Sequence, residues 1–473
     1  MSYKDELNQM EKNLKRERPI LVGAATPINL AQRFLEHLKK PMKRWRKDFY
    51  KFDGVCYRII DEEVLIAELY TFLNNTDSLN APKPTKKHPE PESNRVRIHP
   101  DRRMVGEVMA ALPSQGLMVD EYIETPHWFH TKRSTHNMIS FTNGMLDLDT
   151  MKLEENTPDL FTVNAVEFDY DPTAPKPQEW FNFLTSLWYA DPECIACLKQ
   201  VFGYLITQDT SQQKIFMLVG PKRSGKGTIS KVLQALIGRS NFAGPTLAML
   251  GNQYGAQNLI GKTLATIPDA RLSGKRDQTV IVERLLSISG EDTISIERKY
   301  KDAWVGRLRT RFVMLTNEFP RFTDVSTALA GRFVVLQLIK SFYGQEDRGL
   351  IHRLLKELPG IMNWAIEGWQ ELDSDGSFTL PETSKLAQEE MEEITSPMRL
   401  FVRENCALDP NIEVDIDDLF DVWKEWCESN NRKFAGNKQM FGRDLRTVVP
   451  GITISTHRVG ADRRRFYCGV GLR

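Results

Sequence analysis

Short apolar runs, each closed by a polar or glycine position, alternate along the chain with stretches of helical periodicity. Ile215–Val219, the run within Lys262–Asp269, the run within Arg311–Asn317 and the run within Leu329–Leu336 have the length and continuity of buried strands. Ile229–Ile237 spaces its apolar residues as a helix, as do Val64–Leu73 and Gly360–Trp369. From Pro177 to Thr207 the pattern is also helical, with Trp180, Phe183, Leu184, Leu187, Leu198, Val201 and Leu205 on apolar faces. Strands alternating with helices predict an α/β core. Within Ile139–Asp149, Asn143-Gly144 marks a tight hairpin between two apolar strands. The tail, 397–473, has three helical stretches followed by two β-rich runs, Ile452–Thr456 and Arg464–Gly469, which predicts a winged helix.

Polar composition sets the boundaries. Residues 76–96 are rich in proline and charge and cannot bury a core. They read as a linker between a basic N-terminal region (1–75) and an α+β domain (97–178). A helical collar (179–207) then precedes a nucleotide domain (208–372), and a polar, acidic connector (373–396) leads to the tail. The net charge is zero, so any nucleic-acid surface must be local. No apolar run approaches the ~20 residues that span a bilayer, and Met1-Ser-Tyr-Lys-Asp-Glu6 lacks the apolar core of a signal peptide. We expect a cytoplasmic protein with no membrane partner. Cys194 and Cys197 form a CxxC pair with no second Cys/His pair nearby, which favours buried thiols over zinc. His127, His130 and His136 are a weak metal signal and stay unassigned.

Gly220-Pro-Lys-Arg-Ser-Gly-Lys-Gly-Thr228 sits between a predicted strand and a predicted helix. Its glycines let backbone N–H groups turn inward, and the helix N-terminus favours an anion. Gly220, Pro221, Lys222, Arg223, Ser224, Gly225, Lys226, Gly227 and Thr228 therefore read as the cradle of a nucleotide triphosphate. Lys226 would reach the outer phosphates as a point charge. The residue after such a lysine usually holds magnesium through a hydroxyl; here it is Gly227, and Thr228 is the candidate ligand. A Gly-Lys-Gly-Thr loop also occurs in nucleotide kinases.

An NTPase needs a carboxylate on a second strand to organise magnesium and water. Asp269 closes the run from Lys262, and Ala270 follows it where many related enzymes carry a second acid. Asn317 closes the next run and can position water against the terminal phosphate. Arg332 precedes the following strand, where it is either a solvated charge or an arginine finger reaching a neighbouring subunit. Between them a short strand, Thr293–Ile296, runs into Arg298-Lys-Tyr-Lys301, basic groups around an aromatic that could rest on a base or sugar.

In this order the motifs resemble the superfamily-three helicases of viruses, phages and plasmids, and specifically the phage/plasmid primase-helicase family related to the poxvirus replicative helicase. The likeness covers roughly residues 100–473. It is carried by Gly220–Thr228, Asp269, Arg298–Lys301, Thr316-Asn317 and Gly331-Arg332-Phe333. The resemblance implies an AAA+ type P-loop ATPase core in 208–372, using ATP and Mg2+. In that frame Lys226 binds β- and γ-phosphate, Thr228 and Asp269 serve the metal, Asn317 is the sensor and Arg332 the finger acting in trans. Arg298, Lys299 and Lys301 would lie on hairpins that grip single-stranded DNA in the pore of a homo-hexamer. The region ahead of the linker is too short for a polymerising primase, so priming or loading would come from another chain.

Two further basic segments bear on DNA. Lys39–Lys51 interleaves basic residues with Trp45, Phe49 and Tyr50, which suits single-strand binding or a basic amphipathic helix. Arg458 and Arg463, Arg464 and Arg465 flank the wing of the tail, with Lys438, Arg443 and Arg446 on the helix before it, and suit duplex DNA ahead of a packing role at the edge of a ring. The leading expectation is an ATP-driven DNA helicase for replication of a phage, plasmid or related element. An ATP-regulated initiator without processive unwinding is the alternative, and a nucleotide kinase stands behind it.

Overall fold

The basic, aromatic segment 39–51 folds as a β-hairpin, not as a helix, and buries Trp45, Phe49 and Tyr50, the rings its sequence offers for stacking on bases. The structure, a computed structural model, describes residues 20–21, 25–80, 94–135, 137–270, 278–320, 327–430, 435–460 and 462–473. The N-terminal arm up to 19, most of the Pro-rich linker (81–93) and His136 lie outside the described residues.

In the hairpin, β1 (Met42–Trp45) pairs with β2 (Asp48–Phe52) across Arg46-Lys47. Both turn residues have positive φ, 48° and 69°, the twist that a two-residue hairpin needs. β3 (Tyr57–Ile60) extends the sheet. Three helices complete this layer: α1 (Pro27–Leu38), α2 (Glu62–Asn74) and α3 (Arg102–Ala111). They bury Leu30, Phe34, Leu69, Phe72, Val105 and Val108 in one core.

β4 (Met138–Phe141) and β5 (Gly144–Asp147) form the hairpin expected in 139–149, and β6 (Lys152–Glu154) pairs beyond β5. Its turn is Thr142-Asn143, one residue earlier than expected, because Asn143 is clamped: its amide donates to Tyr170 O and its carbonyl accepts from Tyr170 N, each at 2.9 Å. Gly144 therefore opens β5, where a Cβ would lie 2.5 Å from Glu154 O. The collar helices follow as α4 (Gln178–Leu187) and α5 (Pro192–Ile206).

The central sheet comes next. Its strands are β7 (Ile215–Val219), β8 (Phe242–Ala243), β9 (Leu264–Ile267) and, after an antiparallel hairpin of β10 (Ile294–Arg298) and β11 (Lys301–Gly306), β12 (Arg311–Thr316) and β13 (Phe333–Gln337). All pairings in the sheet are parallel, in the order β8-β9-β12-β7-β13. Successive β7 side chains alternate between layers. Phe216 and Leu218 pack with α5, α6 (Lys226–Ile237) and, later in the chain, Leu358–Asp375. Ile215 and Met217 pack with α7 (Gln278–Ser289). With both faces covered, alternation disappears from the sequence, and the strands read as unbroken apolar runs.

The long helix α8 (Leu358–Asp375) crosses α5 at van der Waals contact of backbones. A Cβ on Gly203 would lie 2.2 Å from Trp369 N, and one on Gly368 would lie 2.2 Å from Lys199 O. At the base of β12, Arg311 is buried and donates to Leu205 O, Thr207 O and Asp209 O at 2.8, 2.6 and 3.1 Å, closing the C-terminal end of α5. The same core takes in Ile139, Phe141 and Leu146, so the collar packs on both its neighbours.

The stretch expected as a connector, 373–396, is mostly helical: Glu382–Thr395 packs on β13 through Ala387, and Ser384 Oγ donates to Val335 O. In the tail, α9 (Pro397–Asn405), β14 (Glu413–Asp415), α10 (Ile416–Ser429), α11 (Lys438–Val448), β15 (Thr453–Val459) and β16 (Asp462–Cys468) follow in order. The three strands form one antiparallel sheet with β16 in the middle, over a core of Phe401, Trp423, Phe441 and Tyr467. No helix among the described residues is long and apolar enough to cross a membrane.

Candidate functional site

β7 delivers the chain to Gly220 and α6 takes it up at Lys226, so the glycine loop crosses the C-terminal edge of the central sheet. Two of its glycines are required sterically. A Cβ on Gly220 would lie 2.3 Å from Leu338 O, and Gly225 turns the chain into α6 with φ 95°. Lys226 is buried, and its ammonium donates to Gly220 O at 2.6 Å, Pro221 O at 2.8 Å, Ser224 Oγ at 3.3 Å and Asn317 Oδ1 at 3.3 Å. Burial lowers its pKa below the ordinary 10.5. A buried cation held only by neutral oxygens, at the N-terminus of a helix, fits a phosphate group.

A segment without a motif braces this loop, and sequence reasoning passed over it. Leu338 N donates to Val219 O, Ser341 Oγ to Lys222 O and Phe342 N to Arg223 O, at 2.7, 2.9 and 2.9 Å. Arg223, at φ 60°, lies 3.4 Å from Glu346.

β12 lies next to β7 and β9 next to β12, which sets Asn317 and Asp269 on the same sheet edge as the loop. Asp269 is exposed, and Ala270 N ties its turn to Leu315 O at 3.1 Å. Thr228 lies half-buried in the first turn of α6, while a Cβ on exposed Gly227 would meet nothing within 4 Å. Among the described residues no group of three His, Cys, Asp or Glu side chains could hold a metal. Thr228 and Asp269 offer hard oxygens of the kind Mg2+ takes alongside phosphate and water.

Arg332 stands apart. It precedes β13, at the opposite edge of the sheet, and its carbonyl accepts from Ile215 N at 2.8 Å. Its guanidinium donates to Leu286 O at 2.6 Å and Ser289 Oγ at 2.8 Å, at the end of α7. Lys226 and Asn317 are in contact; Arg332 meets neither.

The β10–β11 hairpin carries the other expected contacts. Tyr300 is 92% exposed at its tip, with Lys299 Nζ 5.1 Å from the ring centre. Arg298 and Lys301 are not free: they lie 2.7 and 2.9 Å from the carboxylate of Asp48. Lys47 pairs with Asp302 at 2.5 Å, and Arg46 stacks between Trp45 and Trp304 while holding Glu124 at 2.7 Å. The N-terminal hairpin thus clasps the inserted one, an association that a separation of 250 positions hid from the sequence.

On the tail, Arg458 lies directly across from Arg463, so both share a face with Arg465. Arg464 points the other way, 3.4 Å from Asp415. Lys438 pairs with Asp417, and Arg443 with Asp444. Cys194 and Cys197 are buried on α5, and burial pushes both thiols up to about 12.

Residues 31–188 match the family model described as D5 N terminal like, and residues 218–332 match a family of unknown function, DUF5906. An uncharacterized mitochondrial protein, ymf21, of Marchantia polymorpha is 25% identical over 129 residues, which cover 25% of this chain and 72% of that protein. Two solved apo structures of the C-terminal region of NrS-1 superpose with a TM-score of 0.50 at 12% identity, covering 94% and 95% of this chain and 100% of theirs. At that identity the likeness is one of fold. The likeness of fold runs over nearly the whole chain, and the D5 N-terminal-like match covers the part ahead of the central sheet.

Proposed function

We propose that the chain is an ATP-driven, DNA-translocating helicase serving replication of a phage, plasmid or related element. The observation that carries this reading is the contact of Lys226 with Asn317 across neighbouring parallel strands, on the edge that also holds Asp269. A strand order with the loop strand between the fourth and fifth in sequence, and a hairpin inserted between the third and fourth, supports an AAA+ type core. The resemblance of motifs supports the superfamily-three assignment within it.

In this reading Gly220–Thr228 hold the triphosphate of ATP, and Thr228 and Asp269 hold Mg2+, which neutralises charge on the phosphates when bound. Lys226 exchanges its loop carbonyls for phosphate oxygens. Asn317, released from Lys226, orients water by hydrogen bonding. Arg332 reaches a neighbouring subunit of a homo-hexamer from the far edge of the sheet, which requires it to leave Leu286 O and Ser289 Oγ. Lys299 and Tyr300 meet single-stranded DNA first, and the Arg458–Arg463–Arg465 face of a C-terminal winged helix meets duplex. A separate primase or loader remains part of the proposal.

One observation favours a second reading. Arg298 and Lys301 are held by Asp48, as they would be in an ATP-regulated initiator whose hairpin is released on assembly. Removing both Lys299 and Lys301 separates the two: a helicase loses unwinding, whereas an initiator keeps it absent throughout and retains origin binding.

A further inference from the structure

A cavity of about 440 Å³ lies between the β1–β3 sheet and the N-terminal edge of the central sheet, on the side away from the glycine loop. That volume lies in the range of small-molecule sites. Seven Lys or Arg residues line it against two acids. Both acids are already engaged, Asp48 by Arg298 and Lys301 and Glu124 by Arg46. Lys262, Lys299, Arg307 and Arg309 have no carboxylate within ion-pair range among the described residues. Arg58 and Lys262 converge on a single residue: Arg58 Nη1 donates to Ser240 Oγ at 2.8 Å and Lys262 Nζ to Ser240 O at 2.6 Å. Burial, and next to it the Arg58 charge, lower the Lys262 pKa below its ordinary value, while Arg58 also pairs with Asp53 at 3.2 Å.

A second, independent feature points to a ligand. Tyr50 lines the cavity at 8% exposure, and among the described residues its hydroxyl makes no hydrogen bond. The hydroxyl opens onto the cavity, so a ligand there can supply the partner that the protein does not. Trp304, Ile260 and Leu308 give the same space an apolar wall. Cations in excess of acids, a hydroxyl open to the cavity and an apolar wall match a phosphate joined to an aromatic base.

We propose that this cavity is a second phosphate site, separate from the glycine loop, that takes one nucleotide unit. The phosphate sits among Lys262, Arg307 and Arg309, and Tyr50 donates to the ligand. The unit arrives as a free nucleotide or as the phosphorylated end of a DNA strand, which is the same chemistry from two sources. Because the site sits behind the β10–β11 hairpin and its Asp48 clasp, its occupancy bears on how that hairpin is held.

The test is calorimetric titration of the full chain carrying Lys226→Ala, which silences the glycine loop and makes the result independent of the ATPase reading. The probes are dTMP, a 5′-phosphorylated thymidylate tetramer and, as the phosphate-free control, thymidine. Saturable binding of at least one phosphorylated probe, with thymidine inert, is expected. Arg307→Gln and Lys262→Gln should each weaken it about tenfold or more, the worth of one charge-assisted hydrogen bond. Tyr50→Phe, which keeps the ring, should weaken it less. Binding of dTMP assigns the free nucleotide; binding of the tetramer alone assigns the strand end. The proposal is overturned if neither probe binds, if thymidine binds as well as they do, or if Arg307→Gln and Lys262→Gln leave affinity unchanged.

Discussion

Arg298 and Asp48 form an ion pair at 2.7 Å with side chains only 8% and 12% exposed, joining the hairpin that lies in sequence between β9 and β12 to one from the N-terminal layer. A pair so enclosed is costly to break by removing one partner, because the other is left buried and charged. Asp48→Asn should therefore destabilise the protein by ~3 kcal/mol. If the hairpin binds DNA, the same substitution should raise affinity for single strands by releasing Arg298 and Lys301. Thermal unfolding and strand binding by fluorescence anisotropy check the two effects; unchanged stability would remove the clasp from the account.

Lys226→Ala should abolish ATP turnover while leaving the fold intact, since the lysine's own partners are loop carbonyls and two side-chain oxygens. A variant that still hydrolyses ATP would refute the site. The lowered pKa of Lys226 adds a pH signature. In the free protein the ammonium loses its proton below the ordinary 10.5, and bound phosphate pulls that value back up. ATP binding should take up a proton on the alkaline side, and affinity should fall as pH rises through the lowered value. Calorimetry in buffers of different ionisation enthalpy reads the proton directly.

How much of this was legible in sequence depended on distance along the chain. The glycine loop and its strands were legible, because burial on both faces leaves an unbroken apolar run and the loop's spacing is local. The hairpin at 39–51 was not: its turn, Arg46-Lys47, lacks the Gly or Asn that usually signals such a turn, and its basic and aromatic residues suit several structures. The helix Glu382–Thr395 was hidden by its acidic composition, with Ala387 in place of a larger apolar residue at its contact with the core. The Asp48 clasp and the cavity behind it join segments far apart in sequence, so no local pattern announces either.

Arg332 has two competing roles, and one experiment divides them. Arg332→Ala should bind ATP and hydrolyse it poorly. Mixed with Asp269→Ala, it should recover part of its turnover if the finger serves a neighbour's site. Loss of stability with no recovery on mixing would leave Arg332 as a brace for the end of α7, bonded to Leu286 O and Ser289 Oγ.

Gly203→Ala should destabilise the collar, although alanine is the better helix former by about 1 kcal/mol. The new methyl would meet Trp369 N at 2.2 Å, a contact with backbone that cannot swing aside. A net loss of about 1–3 kcal/mol is expected, read as a drop in the denaturant midpoint. The same reasoning applies to Gly368→Ala, which would meet Lys199 O.

The central claim is that Lys226, Asp269 and Asn317 form an ATPase site coupled to DNA. Its most direct test is the ATPase rate with and without single-stranded DNA, with the mass in solution measured in the same buffer. Strong stimulation by DNA in a ring-sized assembly, weakened steeply by added salt because the contacts are to phosphate, is the result predicted. A monomer whose turnover ignores DNA would contradict it and return the glycine loop to the chemistry of a nucleotide kinase.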